Sequence, residues 1–497
     1  MDLEAYRRRA EAFTHELTGE YYRHYAGLKE DYEIEAIYDD HAELFTRAAV
    51  EQLRDALERA QPGSEERRRR AMLLDFAVEG YIGLETKRPE AEIARREAGI
   101  VLELGGERLG FRESAVAQAN EPDGARRAEI EDARLAATEE RLNPLYREVL
   151  ETQHAIAAEL GYASYRELCA QCKGFDLAAL RAQTAEFSAH SQARYPAVVE
   201  PELRHTLGLA LDDARRSDLP RFFRAPELDA SFPEETLISS FAATMRGLGI
   251  DIGAQAGVVL DVDPRPQKSP RAFCAPVRVP GEVYLVLAPV GGRDDYAVLF
   301  HEAGHTEHYA HVDAGLPFEF RHLGDNAITE SFAFLFQHLV EDPEWLARRL
   351  GIEDGSAIAA YARAYRLVYL RRYAAKLAYE LELHGGNRSA GSWDGLARRY
   401  SELLGDALQL PWPAATYLAD VDPGFYCACY LRAWALETHI RGYLRSEFGP
   451  AWFDSGEAGA ALRRLWRDGQ RRSPEELLSE LTGEVLDFRV LIGDLDL

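Results

Sequence analysis

Two imidazoles one helical turn apart, His301 and His305, stand in the run Val298-Leu299-Phe300-His301-Glu302-Ala303-Gly304-His305, with the Glu302 carboxylate beside the first of them. On an α-helix the i and i+4 side chains share a face, so both rings can bind one metal ion while Glu302 points toward water at that ion. This is the donor chemistry of a zinc hydrolase. With 14 His among 497 residues, only about 0.04 copies of the five-residue pattern are expected by chance. Apolar Val298, Leu299 and Phe300 run straight into the motif and predict a buried helix. A buried His-Glu-His cluster needs a partner, and a metal is the simplest one.

A catalytic zinc takes three protein ligands and keeps one position for water, so a third donor is required. His311 lies six residues past His305, the metzincin spacing, but that pattern has Gly where this chain has His308 and a Met-turn downstream. Met1, Met72 and Met245 all precede the motif, which disfavours that reading. The better candidate is Glu330, in a second helical run Asp325-Asn326-Ala327-Ile328-Thr329-Glu330-Ser331-Phe332-Ala333-Phe334-Leu335-Phe336, reached through a connection containing Gly315, Pro317 and Gly324. It is the acidic residue nearest a strongly apolar stretch, where an unpaired charge is costly. Glu330 would complete a His/His/Glu centre for one Zn2+ per chain.

With these residues in view, the chain resembles the thimet oligopeptidase and oligoendopeptidase F family of zinc metallopeptidases, of gluzincin type. His301, Glu302, Gly304, His305 and His308 are similar to the family's His-Glu-x-Gly-His-x-x-His core, and Glu330 falls 25 residues after the second His, where the family carries its third ligand. Leu160-Gly161-Tyr162-Ala163-Ser164-Tyr165 looks like the family's Leu-Gly-Tyr-x-Ser-Tyr segment, Arg271-Ala272-Phe273-Cys274 like the stretch before its edge strand, and Ser473–Leu478 like a frequent C-terminal feature. The resemblance covers roughly residues 140 to 497. It implies a mainly α fold: a large helical body with a small β-hairpin or sheet beside a thermolysin-like zinc-binding helix pair, and a deep central channel. Residues 1–140 would form an N-terminal helical region and 141–497 the catalytic region, packed together as one large unit.

The family also places a His and several Tyr in a Gly-rich loop before its last long helices. The gap-free match, residues 416–431, puts Tyr417 at the His position and Pro423 and Cys427 at Tyr positions, and it keeps Tyr430; a shifted register brings in Tyr426. The resemblance therefore implies Tyr430 or Tyr426 as donor to a tetrahedral oxyanion, and His308 and Tyr417 in substrate binding. A cation held by His301, His305 and Glu330 would acidify water and polarise a scissile carbonyl. Glu302 would take the water proton and pass it to the leaving amine.

The elements around the motif follow from periodicity. Phe273 to Val279 and Glu282 to Leu287 read as two strands joined at Pro280-Gly281, and an exposed edge there can pair with an extended peptide, which predicts broad cleavage preference. Leu44, Ala48, Leu53, Leu57 and Ala60 recur at helical spacing, as do Met72, Phe76 and Leu84, and Ala91 to Leu150 is rich in Ala, Glu and Arg; only the 273–290 region carries a strand pattern. Turns are expected at Gln61-Pro62-Gly63 and Glu121-Pro122-Asp123-Gly124.

A formal net charge of −26 disfavours nucleic-acid partners, and no 18-residue apolar stretch predicts a membrane span. Five Cys without a dense framework, and an N-terminus without an apolar leader, suit a cytoplasmic protein. The lone Cys169-Ala170-Gln171-Cys172 is weak evidence of redox or zinc-knuckle chemistry, and Asn387-Arg388-Ser389 formally fits a glycosylation acceptor. The expected partners are peptide substrates, and nothing in the sequence assigns an oligomeric state. Beside a zinc endopeptidase for short peptides, two readings stay open: a carboxypeptidase-type exopeptidase on a similar fold, and a non-catalytic metal-containing peptide-binding protein.

Overall fold

Apolar residues recur at three- and four-residue spacing over most of the chain, and helices follow: 68% of the residues are helical and 5% lie in strands, a mainly α protein with small sheets. The computed structural model describes residues 1–386 and 393–497, so Asn387-Arg388-Ser389 lies outside the described residues. No helix among the described residues is long and apolar enough to cross a membrane. The chain forms two units, each drawn from separated stretches. Met1–Val78, Leu228–Ala359 and Arg432–Leu491 make the first; Glu79–Glu227, Ala360–Leu431 and Ile492–Leu497 make the second.

Five short strands occur among the described residues: β1 (Val101–Leu104), β2 (Glu107–Gly110), β3 (Val258–Asp261), β4 (Phe273–Arg278) and β5 (Glu282–Val286). In the second unit β1 and β2 form an antiparallel hairpin with Leu104 opposite Glu107. Its turn is Gly105-Gly106, both at positive φ (59° and 94°), as a two-residue hairpin turn requires. This corrects the helical reading of Ala91 to Leu150. Leu102 and Leu104 alternate with exposed neighbours and pack with Ile100, Phe111 and Ile130, a period of two that the surrounding Ala, Glu and Arg content hides.

In the first unit the sheet order is β3-β5-β4, with β5 parallel to β3 and antiparallel to β4. The β4–β5 hairpin is the one expected at Pro280-Gly281. Strand β3 is a further correction, because a four-residue strand pairing in parallel with a distant segment has no local turn to announce it. The helix Leu3–Tyr25 lies over this sheet, with Tyr21 edge-on to Phe273 at 5.2 Å and Tyr22 stacked on Tyr284 at 3.6 Å. Its first turns are tied down by Arg7, which pairs with the fully buried Glu319 at 2.6 Å and with Glu66 at 3.0 Å.

After β5 the chain turns through Gly291-Gly292 into the motif helix, Arg293–Ala310. Carboxylates satisfy the N–H groups there: Asp295 Oδ2 accepts from Val290 N (2.6 Å) and Gly291 N (2.9 Å), and Asp229 Oδ1 from Arg293 N (3.1 Å). Leu299, Phe300 and Ala303 are completely buried, with Phe300 edge-on to Phe241 and Trp345. The partner helix, Asn326–Leu339, starts at an Asp325 cap that accepts from Ala327 N at 2.9 Å, and it buries Phe332, Ala333, Leu335 and Phe336. The two helices touch at Gly304. A Cβ there would stand 2.3 Å from the Phe332 carbonyl oxygen and 2.5 Å from Ala333 Cα, so only glycine admits this approach.

Candidate metal centre

The close crossing sets His301 beside Gln337 and His305 beside Thr329, an antiparallel pairing of the two helices. His301 Nδ1 lies 2.9 Å from Gln337 Oε1, and His305 Nδ1 lies 2.8 Å from Thr329 Oγ1. Gln337 Oε1 and Thr329 Oγ1 can each accept from Nδ1–H, the tautomer that leaves the Nε2 lone pair for a metal. Both Nε2 atoms face the same carboxylate oxygen: Glu330 Oε2 is 3.5 Å from that of His301 and 3.6 Å from that of His305. The rings stand 5.0 Å apart and nearly perpendicular, with Phe334 against His301 at 5.2 Å.

The distances test whether a zinc ion fits. Two donors bound at about 2.1 Å in a tetrahedral site stand about 3.4 Å apart. The observed 3.5 and 3.6 Å match that separation and exceed a normal hydrogen bond. Among the described residues, His301, His305 and Glu330 bring their ligand atoms within 4.8 Å of one another. Burial lowers the pKa of His301 to about 4, and it holds that of His305 well below the usual histidine value, with the neighbouring rings adding to the effect. Both rings are thus neutral near pH 7, the form that binds metal. The residues present fit zinc.

Glu302 is held from the opposite side, by the sheet. Its Oε2 accepts from Cys274 N in β4 at 2.8 Å. Burial pushes its carboxyl up to about 8; the Cys274 N–H opposes that shift, Glu330 adds to it and Arg271 opposes it. Because the Cys274 N–H goes to Glu302 and not to β5, the outer edge of β4 runs directly alongside this carboxylate. The next outward-facing residue is Pro276, which has no N–H, so an extended chain laid on this edge meets acceptors at Cys274 and Pro276 without a matching donor at 276.

The remaining expected site residues fall elsewhere. His308 shares the ligand face two turns on from His301 but is fully buried, with its ring against Tyr309 and Phe332, each at 5.2 Å. The partner helix packs over it through Phe332, so in this structure the His308 ring has no surface open to a substrate. Tyr417, Tyr426 and Tyr430 belong to the second unit. There Tyr417 accepts at its carbonyl from Tyr379 Oη at 2.8 Å, and the Tyr426 and Tyr430 rings meet edge-on at 4.9 Å.

A second group of potential ligands, Glu380, Asp422 and Cys427, also lies in the second unit. Its charge is already balanced: Lys376 Nζ is 2.7 Å from Asp422 Oδ1, and Cys427 Sγ donates to Glu380 Oε2 at 3.1 Å. Burial pushes the Cys427 thiol well above its ordinary value, which keeps it protonated and a poor ligand. Sequence reasoning missed Gln337 and Thr329. Their signal was position: Thr329 adjoins Glu330, and Gln337 stands seven residues, two turns, from Glu330 on the same face, beyond the apolar run Phe332–Phe336.

Comparison with known proteins gives no matching family model and no matching curated relative.

Proposed function

We propose that the chain is a zinc-dependent metallopeptidase that hydrolyses short peptides, binding one Zn2+ through His301, His305 and Glu330. The observation that carries the proposal is that both Nε2 atoms stand at tetrahedral-ligand spacing from one Glu330 oxygen while both Nδ1 atoms are already hydrogen-bonded. When bound, the cation supplies Lewis acidity to the scissile carbonyl and to water. Everything else is done by the chain. Gln337 and Thr329 orient the rings, and the Gly304 contact brings the Glu330 helix within reach. Glu302, anchored at Oε2 by Cys274 N–H and kept ionised by the charge of a bound cation, which would oppose the effect of burial, keeps Oε1 to take a proton from water and deliver it to the leaving amine. The outer edge of β4 lies beside Glu302, where an extended peptide can be aligned. A thermolysin-like helix pair, a channel leading to it, and Tyr430 or Tyr426 as oxyanion donor belong to the same reading.

The test is turnover of a peptide library by the zinc-loaded chain and by Glu302→Gln. The variant should keep its zinc and lose at least about a hundredfold in kcat. Undiminished hydrolysis by the variant removes Glu302 as the base. Absence of hydrolysis by zinc-loaded wild type leaves the non-catalytic peptide-binding alternative.

A further inference from the structure

Arg271 stands two residues before β4, the strand whose Cys274 N–H holds Glu302, so its backbone lies within about 10 Å of that anchor. Its own backbone is pinned, with N donating to Ser269 Oγ at 3.2 Å and O accepting from the same hydroxyl at 3.0 Å. The side chain is exposed, and among the described residues its guanidinium makes no hydrogen bond or ion pair. Neighbouring arginines behave differently: Arg265 is engaged by Asp261 and Arg278 by Glu282. Its charge is felt by the Glu302 carboxyl and by the Tyr21 phenol, the two groups that flank the start of β4.

Tyr21 completes the setting. It comes from the helix Leu3–Tyr25, is half-buried, and forms with Phe273 and Tyr25 an aromatic wall of ring separations 5.2 and 4.6 Å beside Glu302. Beyond Cys274, the β4 edge lacks a backbone donor at Pro276, so a side-chain donor has more of the orienting to do. A chain of net charge −26 repels anions over most of its surface, and selecting a carboxylate requires a local cation with unused donors.

We infer that Arg271, flanked by the Tyr21–Phe273 wall, is the anion-recognising residue of this site and takes a peptide carboxylate next to the bond to be cut. The inference rests on the metallopeptidase reading and narrows its substrates to peptides with an anionic group near that bond. A guanidinium binds a carboxylate through two parallel N–H donors, a geometry that lysine does not reproduce. The carboxylate is either the peptide's C-terminus, as in an exopeptidase, or an acidic side chain, as in an endopeptidase.

One peptide made as free acid and C-terminal amide, and with Glu or Gln at an internal position, separates these sources. Binding of the four forms to zinc-loaded Glu302→Gln, with and without Arg271→Ala or Arg271→Lys, is measured by calorimetry, and turnover by the otherwise wild-type chain in parallel. The inference expects one anionic form to bind about 10- to 100-fold tighter than its neutral mate. That preference should vanish in Arg271→Ala, appear in turnover mainly as KM, and return only partly in Arg271→Lys. A preference that survives Arg271→Ala, equal affinity of acid and neutral forms, or no binding of any form overturns it. So does an equal change for all four peptides with a shifted pH profile, which assigns Arg271 to electrostatic tuning of Glu302. Hydrolysis with no acid preference sinks this inference alone. An Arg271-dependent preference in binding without any hydrolysis sinks the peptidase reading alone.

Discussion

Gly304→Ala separates helix propensity from helix contact. In an isolated helix the change is favourable by about 1 kcal/mol. Here the new Cβ would stand 2.3 Å from the Phe332 carbonyl oxygen and 2.7 Å from Ala333 N, both backbone atoms that cannot rotate aside. Relieving the contact to an ordinary separation moves the partner helix away by about 1 Å. Glu330 rides on that helix two residues before Phe332, so its 3.5 and 3.6 Å separations from the two Nε2 atoms open to about 4.5 Å. Donors at about 2.1 Å from one zinc cannot stand more than about 4.2 Å apart even when collinear. The variant should therefore bind zinc at least about tenfold to a hundredfold more weakly. Overpacking of about 1–3 kcal/mol less the propensity gain leaves the metal-free chain about 0–2 kcal/mol less stable. Chelator-competition titration reads the first and melting in chelator the second. Wild-type zinc affinity with a raised melting temperature would refute the reasoning, because propensity alone would then govern this position.

Gln337→Leu removes the acceptor for His301 Nδ1 without touching a ligand and should weaken zinc binding about 10- to 100-fold; unchanged affinity in the same titration shows that the tautomer needs no such support. In the metal-free chain, burial raises Glu302 from 4.5 to about 8, so the folded state binds a proton that the unfolded chain has released, and stability falls as pH rises from about 4.5 to about 8. Glu302→Gln should accordingly melt higher than wild type in chelator at about pH 8 and close to it at about pH 4; the same offset at both pH values contradicts the burial of this charge. Tyr430→Phe and Tyr426→Phe, compared by kcat, should show one loss of about 10²–10³-fold. If neither slows turnover, the oxyanion donor lies elsewhere.

The clustering of His301, His305 and Glu330 was legible because its signal is local. His301 and His305 share a face by the helical period alone, and Glu330 is an acidic residue in a strongly apolar helix, a costly placement without a partner. What holds them was not legible, because it depends on how two helices cross. Gln337 and Thr329 meet their imidazoles 36 and 24 residues away in sequence. Gly304 reads as an ordinary motif residue until the backbone of Phe332 is found against it. The burial of His308 was hidden for the same reason: helical spacing gives its face but not the Phe332 ring that covers it. The mainly α class followed from periodicity, as did the β4–β5 hairpin from its Pro280-Gly281 turn. The β1–β2 hairpin carried an equally clear Gly105-Gly106 signal, outweighed by the helix-forming composition around it. Units assembled from interleaved stretches leave no trace in local pattern, since their contacts are set by tertiary packing.

The most direct measurement is X-ray absorption at the zinc edge on the chain titrated with zinc, alongside His301→Ala and Glu330→Gln. The expected result is one zinc per wild-type chain with two imidazole nitrogens and oxygen donors at about 2.0–2.2 Å, and loss or weakening of that site in both variants. Sulfur at about 2.3 Å, or unchanged zinc content in both variants, would place the metal at Cys169/Cys172 or Cys427 and contradict a centre built from His301, His305 and Glu330.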